Sequence, residues 1–444
     1  MGRKYFGTDG IRGHVGEFPL TVDFSLRLAS AASQILAPEG GTVIIGKDTR
    51  LSGYMFESAL EAGFVASGVN VLLAGPLPTP GIAYLARRLN ADFGVVISAS
   101  HNRYQDNGIK FFGGHGDKLS DDVEEAIEAR LDDPVLTRES VAIGRAKRID
   151  NARTDYQWFC QSTMPEGTSF QGLKVVVDCA HGAAYKVAPR VLAELGAEII
   201  PIGCSPNGRN INDGCGSTHP DLLQTTDCGV GADVGIALDG DGDRCVLVDE
   251  NGVIVDGDRT LHLLATAARN VGSLVGPVVG TVMSNLGLEQ SLTVMGIEFL
   301  RAAVGDRHVL SILKEKGGQL GGETSGHIIN LAATTTGDGL ITALQVLSVM
   351  RATSKPLSEL AGAMPSFPQV LVNVRMNSRP DVDTEPGIRA AVEKVEKTLG
   401  DEGRVVLRPS GTEPVVRVMV EGRDAAEIER LAGVIADAVT AAGA

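Results

Sequence analysis

The sequence predicts an α/β fold. It consists of three tandem related α/β domains with mainly parallel mixed sheets, followed by a small C-terminal α+β domain. The length of 444 residues suits about three domains at roughly 150 residues each. One plan of apolar runs and helical segments occurs three times, and the pattern changes after Met364. These observations predict domains at residues 1–150, 151–255, 256–366 and 367–444.

Each repeat contains three short apolar runs that are rich in β-branched residues and bounded by turn residues, which indicates buried strands. The runs begin at Gly41, Gly68 and Ala91, then at Gly172, Gly196 and Ala232, and finally at Gly276, Gly296 and Gly317. Segments with helical spacing lie between them, as at 54–67 and 184–195. This alternation favours parallel strands covered by helices on both faces.

The last part of the chain has a different order of elements. Strands are predicted at 369–376, 404–407 and 415–420, and helices at 386–399 and 425–439. The boundary lies near Ser366. A unit of about 80 residues with this order is predicted to fold as a separate α+β domain.

Composition narrows the class of partner. The net charge is −15, which disfavours nucleic acid and anionic membranes as partners. We expect no transmembrane helix and no signal peptide. All six cysteines lie between Cys160 and Cys245 without a CxxC pair, which favours reduced thiols in a cytoplasmic protein over a zinc site or disulfides. The expected partner is a small molecule, and an anionic one needs local Arg, Lys or metal.

A polar loop follows the third predicted strand of each repeat. The loops are Ser98–Asn102, Asp239–Arg244 and Gly321–His327. Open parallel sheets bind ligands at the carboxyl ends of their strands. We therefore expect the three loops to line one shared cleft.

The second loop predicts a metal site. Asp239, Asp241 and Asp243 alternate with glycine, so their carboxylates can turn toward one point, where they would repel one another without a cation. Hard oxygen ligands favour Mg2+ or Ca2+ over zinc, and we predict Mg2+. The spacing partly fits an EF-hand that ends at Glu250, but Arg244 stands where that loop needs glycine. A solvated acidic turn is the other interpretation.

The first loop offers a nucleophile. Ser100 lies beside His101, with Lys110 nine residues further on. A serine near a metal and cations can carry a phosphoryl group, because that transfer depends on positioning and charge neutralisation. The alternative is a serine with a purely structural turn role. No G-x-S-x-G elbow surrounds it, so a hydrolase triad is not supported.

A third motif suits an anion. The segment Arg408–Glu413, followed by Arg417, combines guanidiniums with the hydroxyls of Ser410 and Thr412 and the exposed backbone of Gly411. An ordinary surface turn is the alternative. The stretch 41–48 comes close to a phosphate-binding Walker A motif, but Asp48 replaces its Ser or Thr and the strand falls inside the motif, so nucleotide binding is disfavoured.

These motifs resemble the α-D-phosphohexomutase family along the whole chain. The similar segments are Lys4–Gly13, Ser98–Asn102, Asp239–Arg244, Gly322–His327 and Arg408–Glu413. The N-terminal segment and the run 336–346 are most similar to members that act on glucosamine phosphates. The family usually has Pro where Arg103 stands, which implies a less rigid loop and an added cation near the site.

The resemblance implies roles for the motif residues. Ser100 would be the phosphoserine, and its phosphate would hold Mg2+ together with Asp239, Asp241 and Asp243. Proton transfer and charge stabilisation would fall to the neighbouring basic residues His101, Lys110 and Arg244. Arg12 would help to close the first loop. Glu323 and Ser325 would contact sugar hydroxyls beside His327, and the non-reacting phosphate would bind Arg408, Ser410, Gly411, Thr412 and Arg417.

The implied activity is a phosphoryl relay on a sugar phosphate. Phosphorylated Ser100 donates to a hexosamine monophosphate, the hexosamine 1,6-bisphosphate turns around, and its other phosphate returns to Ser100. The net reaction converts glucosamine 6-phosphate to glucosamine 1-phosphate, toward UDP-N-acetylglucosamine and cell-wall precursors. Mutases of glucose or mannose phosphates are the same-family alternative, and a non-catalytic sugar-phosphate sensor is the alternative from another class. A homodimer is left open.

Overall fold

The computed structural model of the chain describes residues 3–376, 382, 384–409 and 415–443. It contains four sheets of six, five, four and three strands in chain order. The first three sheets combine parallel and antiparallel strands, and the last is antiparallel. The predicted architecture of three α/β domains and a small α+β domain is confirmed. The predicted boundaries after residues 150, 255 and 366 stay predictions.

The first domain has a sheet in the order β1-β5-β4-β2-β3-β6. Its strands are β1 (Ile11–His14), β2 (Gly41–Lys47), β3 (Val69–Pro76), β4 (Phe93–Ile97), β5 (Asp106–Gly113) and β6 (Ala146–Arg148). Its helices are α1 (Val22–Leu36), α2 (Ser52–Ala66), α3 (Thr79–Arg88) and α4 (Asp121–Glu128). Central strand β2 is buried on both faces, with Val43 and Ile45 packed in one hydrophobic cluster and Ile44 in another. Helices therefore cover both sides of this sheet, as parallel strands require.

The second domain follows helix α5 (Ala152–Ser162), which packs against α3. Its sheet has the order β11-β10-β9-β7-β8. The elements are β7 (Lys174–Asp178), α6 (Ala188–Glu194), β8 (Glu198–Ile202), α7 (Asp221–Val230), β9 (Val234–Leu238), β10 (Cys245–Asp249) and β11 (Ile254–Val255).

The third domain has a sheet in the order β13-β12-β14-β15. Its strands are β12 (Val278–Thr281), β13 (Phe299–Ala302), β14 (Leu320–Gly322) and β15 (Ile328–Asn330). Its helices are α8 (Gly257–Asn270), α9 (Leu286–Val294), α10 (Asp306–Lys316), α11 (Gly339–Thr353) and α12 (Leu357–Gly362).

The fourth domain is an antiparallel sheet in the order β16-β18-β17 with two helices packed on it. Its elements are β16 (Gln369–Arg375), α13 (Pro386–Leu399), a short 3-10 helix (Gly400–Glu402), β17 (Gly403–Pro409), β18 (Val415–Gly422) and α14 (Ala425–Gly443). Each predicted strand and helix of this region is present.

The first three domains share an antiparallel strand that was not predicted from the sequence. In each of the first three domains the third parallel strand is followed by an antiparallel partner: β4 by β5, β9 by β10, and β14 by β15. The three predicted polar loops are the connections within these pairs. They lie at the carboxyl ends of β4, β9 and β14, where the chain reverses.

The hydrophobic core explains how the three loops are held together. One continuous cluster runs from Ile44 and Ile82 of the first domain through Val175 of the second to Leu340 of the third. The fourth domain has a core of its own. No helix in the described ranges is long and apolar enough to cross a membrane.

Candidate active site

Loops from three domains meet at one place. The Ser100 hydroxyl donates to Asp239 Oδ2 at 2.6 Å, which joins the first loop to the second. Lys110 Nζ lies 2.7 Å from Asp241 Oδ2. His327 Nδ1 of the third loop lies 3.6 Å from Asp243 Oδ1. The three predicted loops therefore meet, and they bring together residues that are more than 200 positions apart in the chain.

The three aspartates form a compact acidic group. All three side chains are buried, and one carboxylate oxygen of each lies within 4.8 Å of the others. Burial and the neighbouring charges of Asp243 and Asp241 raise the pKa of Asp239 well above its usual value. At Asp243, Lys110 and His327 outweigh the effect of burial and lower the pKa.

Oxygen atoms of this group remain available to a ligand. Within the described part of the chain, Asp241 Oδ1 and Asp243 Oδ1 are buried and accept no hydrogen bond. Buried carboxylate oxygens without a donor are costly unless a cation binds them. The all-oxygen donor set fits a hard divalent cation better than zinc. The residues present therefore fit the predicted Mg2+.

The nucleophile loop is held in a strained conformation. Ser100 has a φ of 53°, in the left-handed region that non-glycine residues rarely occupy. Its N–H donates to Ser98 Oγ at 2.9 Å, and Ser98 Oγ donates to Asp48 Oδ2 at 2.6 Å. This chain of hydrogen bonds turns the Ser100 hydroxyl toward Asp239.

Two further side chains hold the Ser100 loop (Ser98–Asn102) by hydrogen bonds to its carbonyl oxygens. Arg50 donates to the carbonyl oxygen of Ser100 at 3.2 Å and also to that of Asn102. The Asn212 side-chain amide, from the second domain, donates to the same two oxygens at 2.9 and 2.8 Å. Arg103 itself is exposed, and its guanidinium lies 3.6 Å from the exposed Asp213.

Sequence reasoning missed Asp48, Arg50 and Asn212. The first two directly follow central strand β2, so the rule that places ligand sites at strand ends could have identified them. Asn212 lies in an irregular segment and has no local signal. Asp48, the last residue of the stretch 41–48 that comes close to a Walker A motif, thus helps to hold the Ser100 loop.

The predicted cations gather around the acidic group. Lys110 is buried and also lies 2.8 Å from Asp9 Oδ2. Burial disfavours its ammonium, but the carboxylates of Asp241, Asp9 and Asp243 outweigh that effect and raise the pKa of Lys110. Arg12 pairs with Asp9. These contacts keep Lys110 and Arg12 charged beside the acidic group.

Arg244 occupies the end of the metal loop. Its backbone N–H donates to Asp239 Oδ1 at 3.2 Å, and its side-chain Nε lies 4.0 Å from Asp243 Oδ1. The Nε atoms of Arg244 and Arg12 are buried donors without an acceptor among the described residues. Unused guanidinium donors of this kind suit a phosphoryl group.

His101 is placed to exchange a proton with Ser100. Its Nδ1 lies 3.2 Å from Ser100 Oγ. Burial, together with the charges of Arg244 and Arg12, lowers the pKa of His101 to about 4. The imidazole is therefore neutral at pH 7 and can accept a proton.

The residues of the third loop differ in how deeply they are buried. Glu323 is half-buried and its Oε1 accepts the Gly305 N–H at 3.0 Å, while Ser325 is exposed. His327 is only 3% exposed. Burial opposes protonation of His327, but Asp243, Asp306 and Glu323 raise its pKa to about 9. His327 is therefore an imidazolium at pH 7, held between carboxylates.

The predicted phosphate motif lies in the fourth domain. Arg408 and Arg417 are direct partners across the β17–β18 pair, so their side chains leave the same face of the sheet. Ser410, Gly411 and Thr412 lie outside the described residues. Two adjacent guanidiniums suit a phosphate dianion.

Comparison with known proteins agrees with this arrangement. The chain matches all four domains of phosphoglucomutase/phosphomannomutase: alpha/beta/alpha domain I over residues 3–136, domain II over 160–252, domain III over 256–367 and the C-terminal domain over 371–438. The chain belongs to the phosphoglucomutase/phosphomannomutase family, and the predicted family resemblance is confirmed.

Individual relatives are similar over their whole lengths. A phosphoglucosamine mutase of Thioalkalivibrio sulfidiphilus is 57% identical over 99% of this chain and 98% of its own. One of Aeromonas hydrophila is 54% identical over all of both chains. A crystal structure of a phosphoglucomutase/phosphomannomutase family protein from Burkholderia thailandensis superposes with a TM-score of 0.82 at 25% identity, covering 99% of this chain and 98% of that one.

Proposed function

We propose that the protein is a phosphoglucosamine mutase, which interconverts glucosamine 6-phosphate and glucosamine 1-phosphate through a phosphorylated Ser100. The observation that carries the proposal is the Ser100 hydroxyl, which lies 2.6 Å from the first of three converging aspartates, the second of which lies 2.7 Å from Lys110 Nζ. The names of relatives that are 54 to 57% identical along the whole chain support glucosamine phosphates as substrates.

The reaction is two phosphoryl transfers with one nucleophile. In the first, a hydroxyl of the sugar monophosphate attacks the phosphorus on Ser100. The P–Oγ bond breaks, a bond to the sugar oxygen forms, and the hydroxyl proton ends on Ser100 Oγ. The resulting hexosamine 1,6-bisphosphate turns around, and Ser100 Oγ attacks its other phosphate. In that step the P–Oγ bond forms and the bond between that phosphorus and the sugar oxygen breaks. The neutral His101 accepts the serine proton and passes it to the released sugar oxygen, and the same proton moves the opposite way in the reverse direction.

The cations and carboxylates supply the charge stabilisation that this transfer needs. Lys110, Arg12 and Arg244 are placed to neutralise charge on the moving phosphoryl group. Asp239, Asp241 and Asp243 would hold Mg2+ together with the Ser100 phosphate. When bound, Mg2+ neutralises charge on the phosphoryl oxygens.

The remaining predicted residues would hold the parts of the sugar that do not react. Glu323 and Ser325 would accept and donate hydrogen bonds to its hydroxyls beside the buried His327. Arg408, Ser410, Gly411, Thr412 and Arg417 would bind whichever phosphate is not being transferred. One such clamp can serve both orientations of the bisphosphate. A cytoplasmic location, expected from the cysteine pattern, is part of this proposal.

Initial rates on three substrates test the function. The purified protein, primed with a catalytic amount of hexose 1,6-bisphosphate, is assayed with glucosamine 6-phosphate, glucose 6-phosphate and mannose 6-phosphate. Each is measured with Mg2+ and after chelation. We expect kcat/KM for glucosamine 6-phosphate to exceed the others by about tenfold or more, since a mismatched polar group at a substrate position costs at least that much. We expect chelation to abolish turnover and Mg2+ to restore it.

The other outcomes separate the alternatives. A preference for glucose or mannose phosphate would identify a phosphoglucomutase or phosphomannomutase. Binding of all three sugars without turnover of any would indicate a sensor. Full activity after chelation would contradict the metal site at the three aspartates.

A further inference from the structure

One lysine outside the predicted site bridges two domains. Lys118, shortly after β5, has a side chain that is 11% exposed. Its Nζ lies 2.7 Å from Asp9 Oδ1 in the first domain and 2.5 Å from Asp306 Oδ2 at the start of α10 in the third. One ammonium thus joins residues that are 297 positions apart by their numbers in the chain.

The first end of the bridge contacts the cations around the Ser100 loop. The second oxygen of Asp9 lies 2.8 Å from Lys110 Nζ and also pairs with Arg12. Lys118, Lys110 and Arg12 therefore share one carboxylate. Displacing Asp9 would displace the two cations that face the phosphoryl group.

The second end of the bridge, Asp306, contacts the third loop (Gly321–His327), which is the proposed sugar-binding loop. Asp306 Oδ2 lies 3.3 Å from His327 Nε2, and His327 Nδ1 lies 3.6 Å from Asp243. The His327 ring also leaves no space for a side chain at residue 337, where a Cβ would lie 2.3 Å from Nε2. The ring position is thus determined by Asp306 on one side and the metal loop on the other.

We propose that Lys118, through Asp9 and Asp306, is a positioning residue that sets the sugar-binding loop relative to the phosphoryl-transferring residues. This rests on the proposed function and deepens it. In enzymes generally, a misplacement of about 1 Å caused by a mutation far from the chemistry can cost about a hundredfold in rate. A group that holds the third loop and the residues around Ser100 in one relative position therefore affects the reaction without touching the substrate.

Stability alone does not account for a bridge of this kind. Burying an ammonium between two carboxylates carries a desolvation cost, and apolar replacements of buried ion pairs are often neutral or stabilising. Asp306 and Asp9 outweigh the effect of burial and raise the pKa of Lys118, so the bridge is charged at pH 7. The same domain pair has an ordinary surface ion pair for comparison, Lys314 Nζ at 3.0 Å from Asp117, with side chains 49% and 39% exposed.

The test compares variants of the full-length protein on glucosamine 6-phosphate. Lys118→Met keeps the apolar stem and removes the bridge, whereas Lys118→Arg keeps the charge. Lys314→Met removes the surface pair between the same domains. We expect Lys118→Met to lower the melting temperature, because two largely buried carboxylates lose a partner. At a temperature where the variant stays folded, we expect it to lower kcat by about 10- to 100-fold with little change in the Mg2+ concentration for half-activation. Lys118→Arg should recover part of that loss, and Lys314→Met should match the wild type.

A double variant checks that the bridge acts as one unit. Asp306→Asn alone should lower kcat in the same way, and it also carries the test if Lys118→Met does not fold. The double variant Lys118→Met/Asp306→Asn should be no slower than the slower single variant. Independent losses that multiply in the double variant, or a wild-type kcat in both single variants, would overturn the inference. An inactive wild type would instead refute the proposed function.

Discussion

At Ser100, backbone conformation and side-chain position depend on each other. A serine at a φ of 53° costs about 1 to 3 kcal/mol and persists where its surroundings hold it. Here Ser98 accepts its N–H, while Arg50 and Asn212 donate to its carbonyl oxygen. Because the backbone is fixed from three sides, the hydroxyl stays 2.6 Å from Asp239.

We predict that Ser100→Ala abolishes mutase activity without unfolding the protein. The loss should reach several orders of magnitude because the covalent route disappears. Alanine keeps the backbone hydrogen bonds that hold the loop, so the melting temperature should change little. Intact-mass spectrometry should show one phosphoryl group on the wild type and none on the variant. Phosphate on another residue together with retained activity would refute the assignment of Ser100.

The sequence predicts the site residues that lie at strand ends. Ser100 and the three aspartates follow apolar runs, so pattern and position together identify them. The bridge of Asp9, Lys118 and Asp306 was not predicted, because the two ion pairs of Lys118 join positions that are 109 and 188 apart by their numbers. No local pattern distinguishes such a lysine from one on the surface.

Among the elements, the strands inside apolar runs were the most predictable. None of the three antiparallel partners was predicted. Two of them lack the pattern that predicts a strand, because β5 begins with the polar residues Asp106 and Asn107 and β15 contains only three residues. These partners nevertheless create the chain reversals at which the three loops lie.

Helix α11 begins with a buried polar residue that makes two hydrogen bonds. Its N-cap Asp338 accepts the Ile341 N–H at 2.9 Å and the Tyr156 hydroxyl at 2.7 Å.

We predict that Asp338→Asn changes how stability depends on pH. Burial raises the pKa of Asp338 to about 6 from the ordinary 3.8. The folded state therefore binds this proton more tightly than the unfolded state, so the contribution of Asp338 is largest at low pH and is lost as pH rises through 6. The stability of the wild type relative to the variant should fall by about 1 kcal/mol between pH 5.5 and 8.

Urea unfolding of both proteins at several pH values measures this difference. Ser358→Ala removes a hydroxyl at the start of α12 that donates to Glu250. It serves as a control, because its difference from the wild type should not follow the same curve. A constant difference between wild type and Asp338→Asn would show that Asp338 titrates normally.

In the whole molecule, the first three domains and the fourth differ in how they are joined. The first three share a continuous core, whereas the fourth has its own core and meets the third through polar contacts. Asn285 exchanges two hydrogen bonds with the backbone of Phe367, at 2.8 and 3.1 Å. The buried Glu421 accepts the Leu286 N–H and pairs with Arg404 at 2.6 Å. A joint made of a few directional contacts allows rotation of the fourth domain more readily than a merged core does.

We predict that Arg417→Ala lowers kcat as well as raising KM for glucosamine 6-phosphate. If Arg417 only held the non-reacting phosphate, its contact would be similar in the ground and transition states and KM alone would rise. In the proposed reaction, however, the fourth domain brings its guanidiniums to a sugar whose other end lies at Ser100, so we expect binding energy there also to assemble the reactive geometry. Loss of one charge-assisted contact, about 1.5 to 3 kcal/mol, corresponds to a fall of about 10- to 150-fold in kcat/KM.

Steady-state kinetics of Arg417→Ala and Arg408→Ala make the measurement, with melting temperatures to confirm folding. Arg423→Ala is the matched control, because that arginine lies in the same domain and pairs at the surface with Glu402, with side chains 66% and 63% exposed. We expect the control to keep both constants. A rise in KM with unchanged kcat would show that the fourth domain binds the phosphate without contributing to closure, because the reactive geometry would then form equally well without its grip. Wild-type constants in both Arg417→Ala and Arg408→Ala would remove the fourth domain from substrate binding altogether.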